Sequence, residues 1–244
     1  PEPGAIEMKW LKDLFGKASS AVPLTAAQEE ALAAWQKRPA EDMSRSHFRT
    51  RYIVVDVESS GLNMVRDSLI SIGAVAVCEG VIDANDAFEV VLRQDEVSSH
   101  ENILIHGIGG SAQREGVEPA DALLAFLDYV GRAPLVAYHA EFDQAMIGRA
   151  LREFLGKDLD LPWIDLAWVM PELFRELIDG QVVLDEWLQR FDIENILRHN
   201  AVSDAYATAK LLLIAQARAV TQGKDSAAVF MDIERARRWV RRGG

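Results

Sequence analysis

Apolar residues recur along this chain with two periods, and the switch between them marks its elements. Trp10, Leu11, Leu14 and Phe15 suggest a short amphipathic piece. A second helix opens at Thr25, where Gln28 three residues on completes a capping-box pattern, and Pro39 stops it soon after Ala33, Ala34 and Trp35. From Arg51 the pattern changes. Tyr52, Ile53, Val54 and Val55 form an unbroken apolar run, the signature of a strand covered on both faces. Ser59, Ser60 and Gly61 end it, and two further apolar runs follow at 69–77 and 81–92, joined tightly around Glu79 and Gly80 as a hairpin.

After a polar loop containing His106, Gly107, Gly109 and Gly110, residues 119–130 fit a helix with Ala122, Leu123, Phe126, Leu127 and Val130 on one face. A short strand is expected at 135–138, a helix at 142–155, an extended stretch at 162–165 and helical pieces to about residue 190. A last long helix, 202–220, buries Leu211, Leu212, Leu213 and Ile214. Strands followed by alternating helices and strands make an α/β domain, without internal repeats. The expected organisation is a helical N-terminal extension over residues 1–50, a main domain over 51–221 and a basic C-terminal helix or tail over 222–244.

Composition narrows the classes. Of 244 residues 49% are hydrophobic and 26% charged, the balance of a packed globular protein. No stretch reads as a membrane span and no basic-then-apolar leader opens the chain, so a cytoplasmic protein with no membrane partner is expected. Cys78 stands alone, which argues against a disulfide or a thiolate metal site and for a small core residue. A net charge of −12 excludes nucleic-acid binding by bulk electrostatics, so any such binding must be local. Positive charge gathers at Lys37, Arg38, Arg45 and Arg51, and again at Arg235, Arg237, Arg238, Arg241 and Arg242; both groups read equally well as solvated helix faces.

The candidate chemistry lies in carboxylates. Asp56 and Glu58 close the first strand two residues apart, so both point to one side. Their repulsion is relieved by a divalent cation, and hard oxygen ligands suit Mg²⁺ or Mn²⁺. Alone, two acids at a strand end are more often merely solvated. Asp143, after the short strand in Tyr138-His139-Ala140-Glu141-Phe142-Asp143, and His199 with Asp204 at the head of the last helix change that balance.

In order and context these segments resemble the DEDDh, or DnaQ-like, exonucleases, the family of the proofreading ε subunit of bacterial DNA polymerase III, ribonuclease T and oligoribonuclease. Asp56-Val57-Glu58-Ser59-Ser60-Gly61-Leu62 is similar to that family's Asp-x-Glu-Thr-Thr-Gly-Leu block, Phe142-Asp143 to its Phe-Asp, and His199 with Asp204 to its His-x-x-x-x-Asp. Ile72-Gly73-Ala74-Val75 resembles the family's second strand and Ile105-His106-Gly107-Ile108 its short His-Gly segment. Two departures stand out: serines replace the paired threonines, and His139-Ala140-Glu141 stands where a His-Asn start is common, which leaves the preferred substrate open.

The resemblance implies a ribonuclease-H-like fold with a mixed five-stranded sheet flanked by helices. It implies two divalent ions, Mg²⁺ or Mn²⁺, held by Asp56, Glu58, Asp143 and Asp204. Asp56 bridges both, Glu58 and Asp204 hold the ion that activates water, and Asp143 serves the other partly through waters. His199 becomes the general base, a task suited to imidazole. Gly61 gives close access to the terminal nucleotide, Leu62 packs on its base, and His106 flanks the same pocket. The implied activity is 3′→5′ hydrolysis of single-stranded DNA to nucleoside monophosphates, in proofreading or repair and with a polymerase or repair partner. An RNA-trimming enzyme like ribonuclease T or oligoribonuclease is the alternative, because the choice rests on contacts to the 2′-hydroxyl. A non-catalytic nucleic-acid-binding module is the remaining reading; it fits less well because none of the five residues is lost.

Overall fold

The structure, a computed structural model, describes residues 23–178 and 180–242. The amphipathic piece around Trp10 to Phe15 therefore lies outside the described residues.

Five strands, β1 (Tyr52–Ser59), β2 (Leu69–Cys78), β3 (Val81–Val91), β4 (Leu135–Ala137) and β5 (Trp163–Asp165), form one sheet in the order β3-β2-β1-β4-β5. The first three run antiparallel in sequence, whereas β4 and β5 run parallel to β1, so the sheet is mixed as expected. The β2–β3 turn uses Glu79 at φ 54° and Gly80 at φ 75°. Positive φ at both central residues matches the right-handed twist of the flanking strands, which is why the chain reverses there in two residues.

Helices cover both faces. α1 (Ala26–Gln36) begins at Thr25 with both halves of its capping box formed. The polar loop contains two short helices that sequence periodicity does not reveal, α2 (His100–His106) and α3 (Gly110–Arg114). Then come α4 (Pro119–Val130), α5 (Glu141–Leu155), α6 (Leu166–Leu173), α7 (Leu184–Arg190), α8 (Ala201–Thr221) and α9 (Ala227–Arg242). Side chains alternate along β1 into two separate cores. Ile53, Val55 and Val57 pack with Leu123 and Phe126 of α4 and Met146 of α5, while Tyr52 and Val54 pack with Leu212 of α8 and Phe230 of α9. Each such side chain contributes roughly 1.5–3 kcal/mol when fully buried. Dry cover on both faces explains the unbroken apolar run at 52–55. Leu211 and Leu212 are fully buried as expected, but Leu213 and Ile214 only partly so, and Cys78 is likewise half-buried at the end of β2.

Gly73 sets the distance between sheet and helix. It pairs with Asp56 in the β1–β2 register, and a Cβ there would lie 2.4 Å from both Ala201 C and Val202 N at the head of α8. Only a residue without a side chain lets the first turn of α8 sit directly on the strand beside Asp56.

The described basic residues are mostly paired. Arg45 meets Glu41 at 2.9 Å, Arg51 meets Asp86 at 2.9 Å, Arg237 meets Glu172 at 3.0 Å and Arg238 meets Glu234 at 2.9 Å, while Arg38 is bonded to Asp128. These clusters serve first to tie helices and strands together. Among the described residues no helix is long and apolar enough to cross a membrane.

Candidate catalytic site

Asp56 and Glu58 extend the Tyr52–Val54 row of β1 to the exit of the strand, where the apolar cover stops. Carboxylate oxygens of Asp56, Glu58 and Asp204 all lie within 4.8 Å of one another. Packing three acids this closely is unfavourable unless they take up protons or a cation. Burial, followed by the charges of Asp143, Asp204 and Glu58, raises the Asp56 carboxyl well above the usual range, with Arg198 opposing. Burial and Asp204 push Glu58 up to about 7. A set of hard oxygen donors whose charge is resisted by its surroundings fits a divalent metal ion.

Asp204 is delivered from the other side by the start of α8. The Asn200 side chain caps that helix by accepting from Ser203 N at 3.0 Å, and His199 N donates to Asp204 Oδ2 at 2.9 Å. Asn195 Nδ2 donates to Asp204 Oδ1, and Ser203 Oγ donates to Asn195 Oδ1 at 3.1 Å. His199 itself sits at φ 61° and is exposed.

Asp143 arrives from the first turn of α5 and is buried at 5% exposure. It stands outside the 4.8 Å group but close enough to raise Asp56. Burial, with the charges of Asp165 and Glu58, pushes Asp143 up to about 8 against the hydrogen bonds of its own and the Val57 backbone. The corner before it is fixed by Asp165, a residue that the motifs do not mark. Asp165 Oδ1 accepts from His139 N and from Ala167 N, both at 2.9 Å, and Arg238 approaches its Oδ2 at 3.4 Å. His139 takes φ 62°, a left-handed conformation that Asn, Asp and His adopt more readily than other side chains. The ion pair of Glu141 is with Arg238 at 3.8 Å, so His139 and Glu141 support the corner.

The three expected substrate contacts are placed differently. Leu62 is 88% exposed, and Gly61 is half-buried against Asp67, whose carboxylate would have to shift to admit a Cβ 2.3 Å away. His106 is turned inward instead: it is buried, its Nδ1 accepts from Ile108 N at 3.0 Å and its Nε2 lies 3.3 Å from Ser98 Oγ. Both ring nitrogens are engaged at the end of α2, the helix whose Asn102 side chain donates to Ser60 O.

Sequence reasoning also missed Asn195 and Arg198. Neither falls in a motif: the partner of Asn195 is Asp204, nine residues on, and Arg198 pairs with Asp185 of α7. Asp165 carries a usable signal, since like Asp56 it is an acid closing a strand before a turn or helix.

Residues 53–212 match the family model described as "Exonuclease". The chain belongs to this exonuclease family. It is 32% identical over 199 residues to the DNA polymerase III subunit epsilon of Salmonella typhimurium, covering 77% of this chain and 78% of that protein. It is 29% identical over 171 residues to the PolC-type DNA polymerase III of Oceanobacillus iheyensis, 70% of this chain but 12% of that much longer protein. E. coli Exonuclease I, crystallised with a dT13 oligonucleotide, superposes with a TM-score of 0.60 at 19% identity over 71% of this chain and 42% of its own, which places the fold. The motif resemblance and the ribonuclease-H-like sheet are thus both borne out.

Proposed function

We propose that this chain is a divalent-metal-dependent 3′→5′ exonuclease that removes nucleoside monophosphates from the 3′ end of single-stranded DNA. The observation that carries the reading is the convergence of Asp56, Glu58 and Asp204 within 4.8 Å at the mouth of the sheet. Asp56, Glu58 and Asp204, with Asp143 behind them, would hold two ions, Mg²⁺ or Mn²⁺. When bound, the ions would supply stabilisation of the charge that develops on the attacking and leaving oxygens of an in-line displacement.

The chain's own residues do the rest. His199 accepts the proton of the attacking water on an imidazole nitrogen, and its exposed position gives water free access. Asp204, tied to the His199 backbone, keeps base and ligand in one rigid unit. Gly61 and Leu62 take the terminal nucleotide, with the exposed Leu62 packing on its base. Catalysis resides in residues 51–221; the helical segment before them and the basic helix after them brace the fold. The likeness to a DNA polymerase III subunit supports DNA as substrate and a polymerase as partner.

The test uses 5′-labelled DNA and RNA oligonucleotides of equal sequence with Mg²⁺, Mn²⁺ or chelator. Stepwise shortening of DNA faster than RNA, in metal only, is expected; faster loss of RNA assigns the exoribonuclease alternative, and no shortening of either strand overturns both. His199→Ala should keep metal binding and fold but lose about 10²–10⁴-fold in turnover, and wild-type-like turnover in that variant rejects the base assignment.

A further inference from the structure

The loop that carries Gly61 and Leu62 is a closed unit whose orientation must be set from outside. At its base Ser60 N donates to Ser68 O at 2.9 Å and Ser68 N to Ser60 Oγ at 2.8 Å. Further out, Asn63 N donates to Asp67 Oδ2 at 2.7 Å, Asp67 N returns to Asn63 O at 2.9 Å, and Asn63 Oδ1 accepts from Val65 N at 3.0 Å. Such a loop satisfies its own backbone and moves as one piece, so its tip follows whatever holds its flank.

Two side chains from the body of the protein hold it. Asn102 of α2 bonds Ser60 O at the base, and Arg149 of α5 reaches the far flank, with Nη1 on Val65 O at 2.8 Å and Nη2 on Asp67 O. The Nε of Arg149 is buried and makes no hydrogen bond, and Nη2 adds only a 3.9 Å contact to Met146 Sδ. A guanidinium that leaves one donor unsatisfied in order to grip two carbonyls is held there by the fork geometry that Lys lacks. Arg149 also stands six residues after Asp143 on the same helix, roughly 9 Å along its axis.

We infer that Arg149 is a positioning residue that clamps the Gly61–Leu62 loop to the Asp143 helix, so that the 3′-terminal nucleotide is presented to the carboxylates in register. This rests on the proposed exonuclease function for its substrate but not for its geometry. The loop's pre-set orientation acts on binding: with the clamp gone, the loop must be ordered by the substrate itself, which weakens binding while leaving metal and base untouched.

The test compares the full-length wild type with Arg149→Ala and Arg149→Lys, each checked for the native melting transition and Mn²⁺ binding. Hydrogen exchange without substrate should quicken about tenfold at the amides of residues 63–68 in Arg149→Ala, with intermediate rates in Arg149→Lys. On a single-stranded DNA oligonucleotide KM should rise about tenfold while kcat stays within about twofold. Unchanged loop exchange overturns the clamp. A fall in kcat equal to the fall in kcat/KM, with KM unchanged, overturns its role in substrate presentation. If the wild type cleaves no oligonucleotide, the functional reading fails while the exchange result still decides the clamp. If Arg149→Ala does not fold, Arg149→Lys, which keeps charge and most of the volume, carries both readouts.

Discussion

The two walls of the carboxylate cluster are built by different means. Asp56 and Glu58 stand on β1, a strand hydrogen-bonded to β2 on one side and β4 on the other, with a dry core on each face. His199 and Asp204 stand where a loop enters α8, and what holds them is a polar set of Asn195, Asn200 and Ser203, with Ile196 and Leu197 exposed at 77% and 62%. The strand wall is fixed by the whole fold and the loop wall by a few local bonds, which places it at the low-stability end of the structure. Asp204, the acid that the loop wall contributes to the cluster, is therefore held less firmly than Asp56 and Glu58.

Breaking the strand wall should cost most. Asp56→Asn removes the acid that faces all the others, and hydrolysis should fall on the order of a thousandfold or more in steady-state assays. The metal-free melting temperature of that variant at pH 8 should not fall, because the substitution relieves repulsion. A large drop in melting temperature would make Asp56 structural.

Gly73→Ala tests whether the two walls are kept in register by contact. A methyl 2.4 Å from the α8 backbone must push the helix off the sheet, so destabilisation of about 1–3 kcal/mol is expected together with loss of most activity. Wild-type activity in a destabilised variant would show that Asp204 tolerates the shift. Asn195→Ala touches the loop wall alone. Removing one charge-assisted hydrogen bond to Asp204 should lower kcat/KM roughly tenfold with little change in global stability, whereas a large stability loss would contradict the local character of that wall.

The smallest effect is on pH. Glu58 rises from an ordinary 4.5 to about 7, and Asp143 from 3.8 to about 8, so the folded metal-free protein keeps protons that the unfolded chain has released. Stability from these groups is therefore complete below the ordinary values and is lost as pH rises through about 7 to 8. Melting temperature in chelator should decline as pH rises from about 4 to about 8 and recover with Mn²⁺; a flat profile in both conditions contradicts the electrostatic account.

Much of this was legible in the residues because it follows short-range rules. The apolar run at 52–55, the Glu79-Gly80 turn and the Thr25–Gln28 cap each depend on a few neighbours, and the motif acids fall at element ends that the periodicity locates. What was not legible depends on distant partners. α2 and α3 are too short to show a period and stand on tertiary bonds, among them those of the buried Gln113 to Ser98 and Ile108. Arg51 and Arg237 read as basic surface because their acids, Asp86 and Glu172, lie far along the chain. Arg149 acts on backbone atoms of another segment, which no local pattern announces.

The central proposal is that Asp56, Glu58 and Asp204, where the two walls meet, form a divalent-metal site whose acids shed protons to bind. Calorimetric titration with Mn²⁺ at pH 7, in two buffers of different ionisation enthalpy, tests it most directly. The account predicts binding with net proton release in the wild type, retained in His199→Ala and abolished or strongly weakened in Asp56→Asn. Binding that is absent, or unchanged in Asp56→Asn, would contradict it.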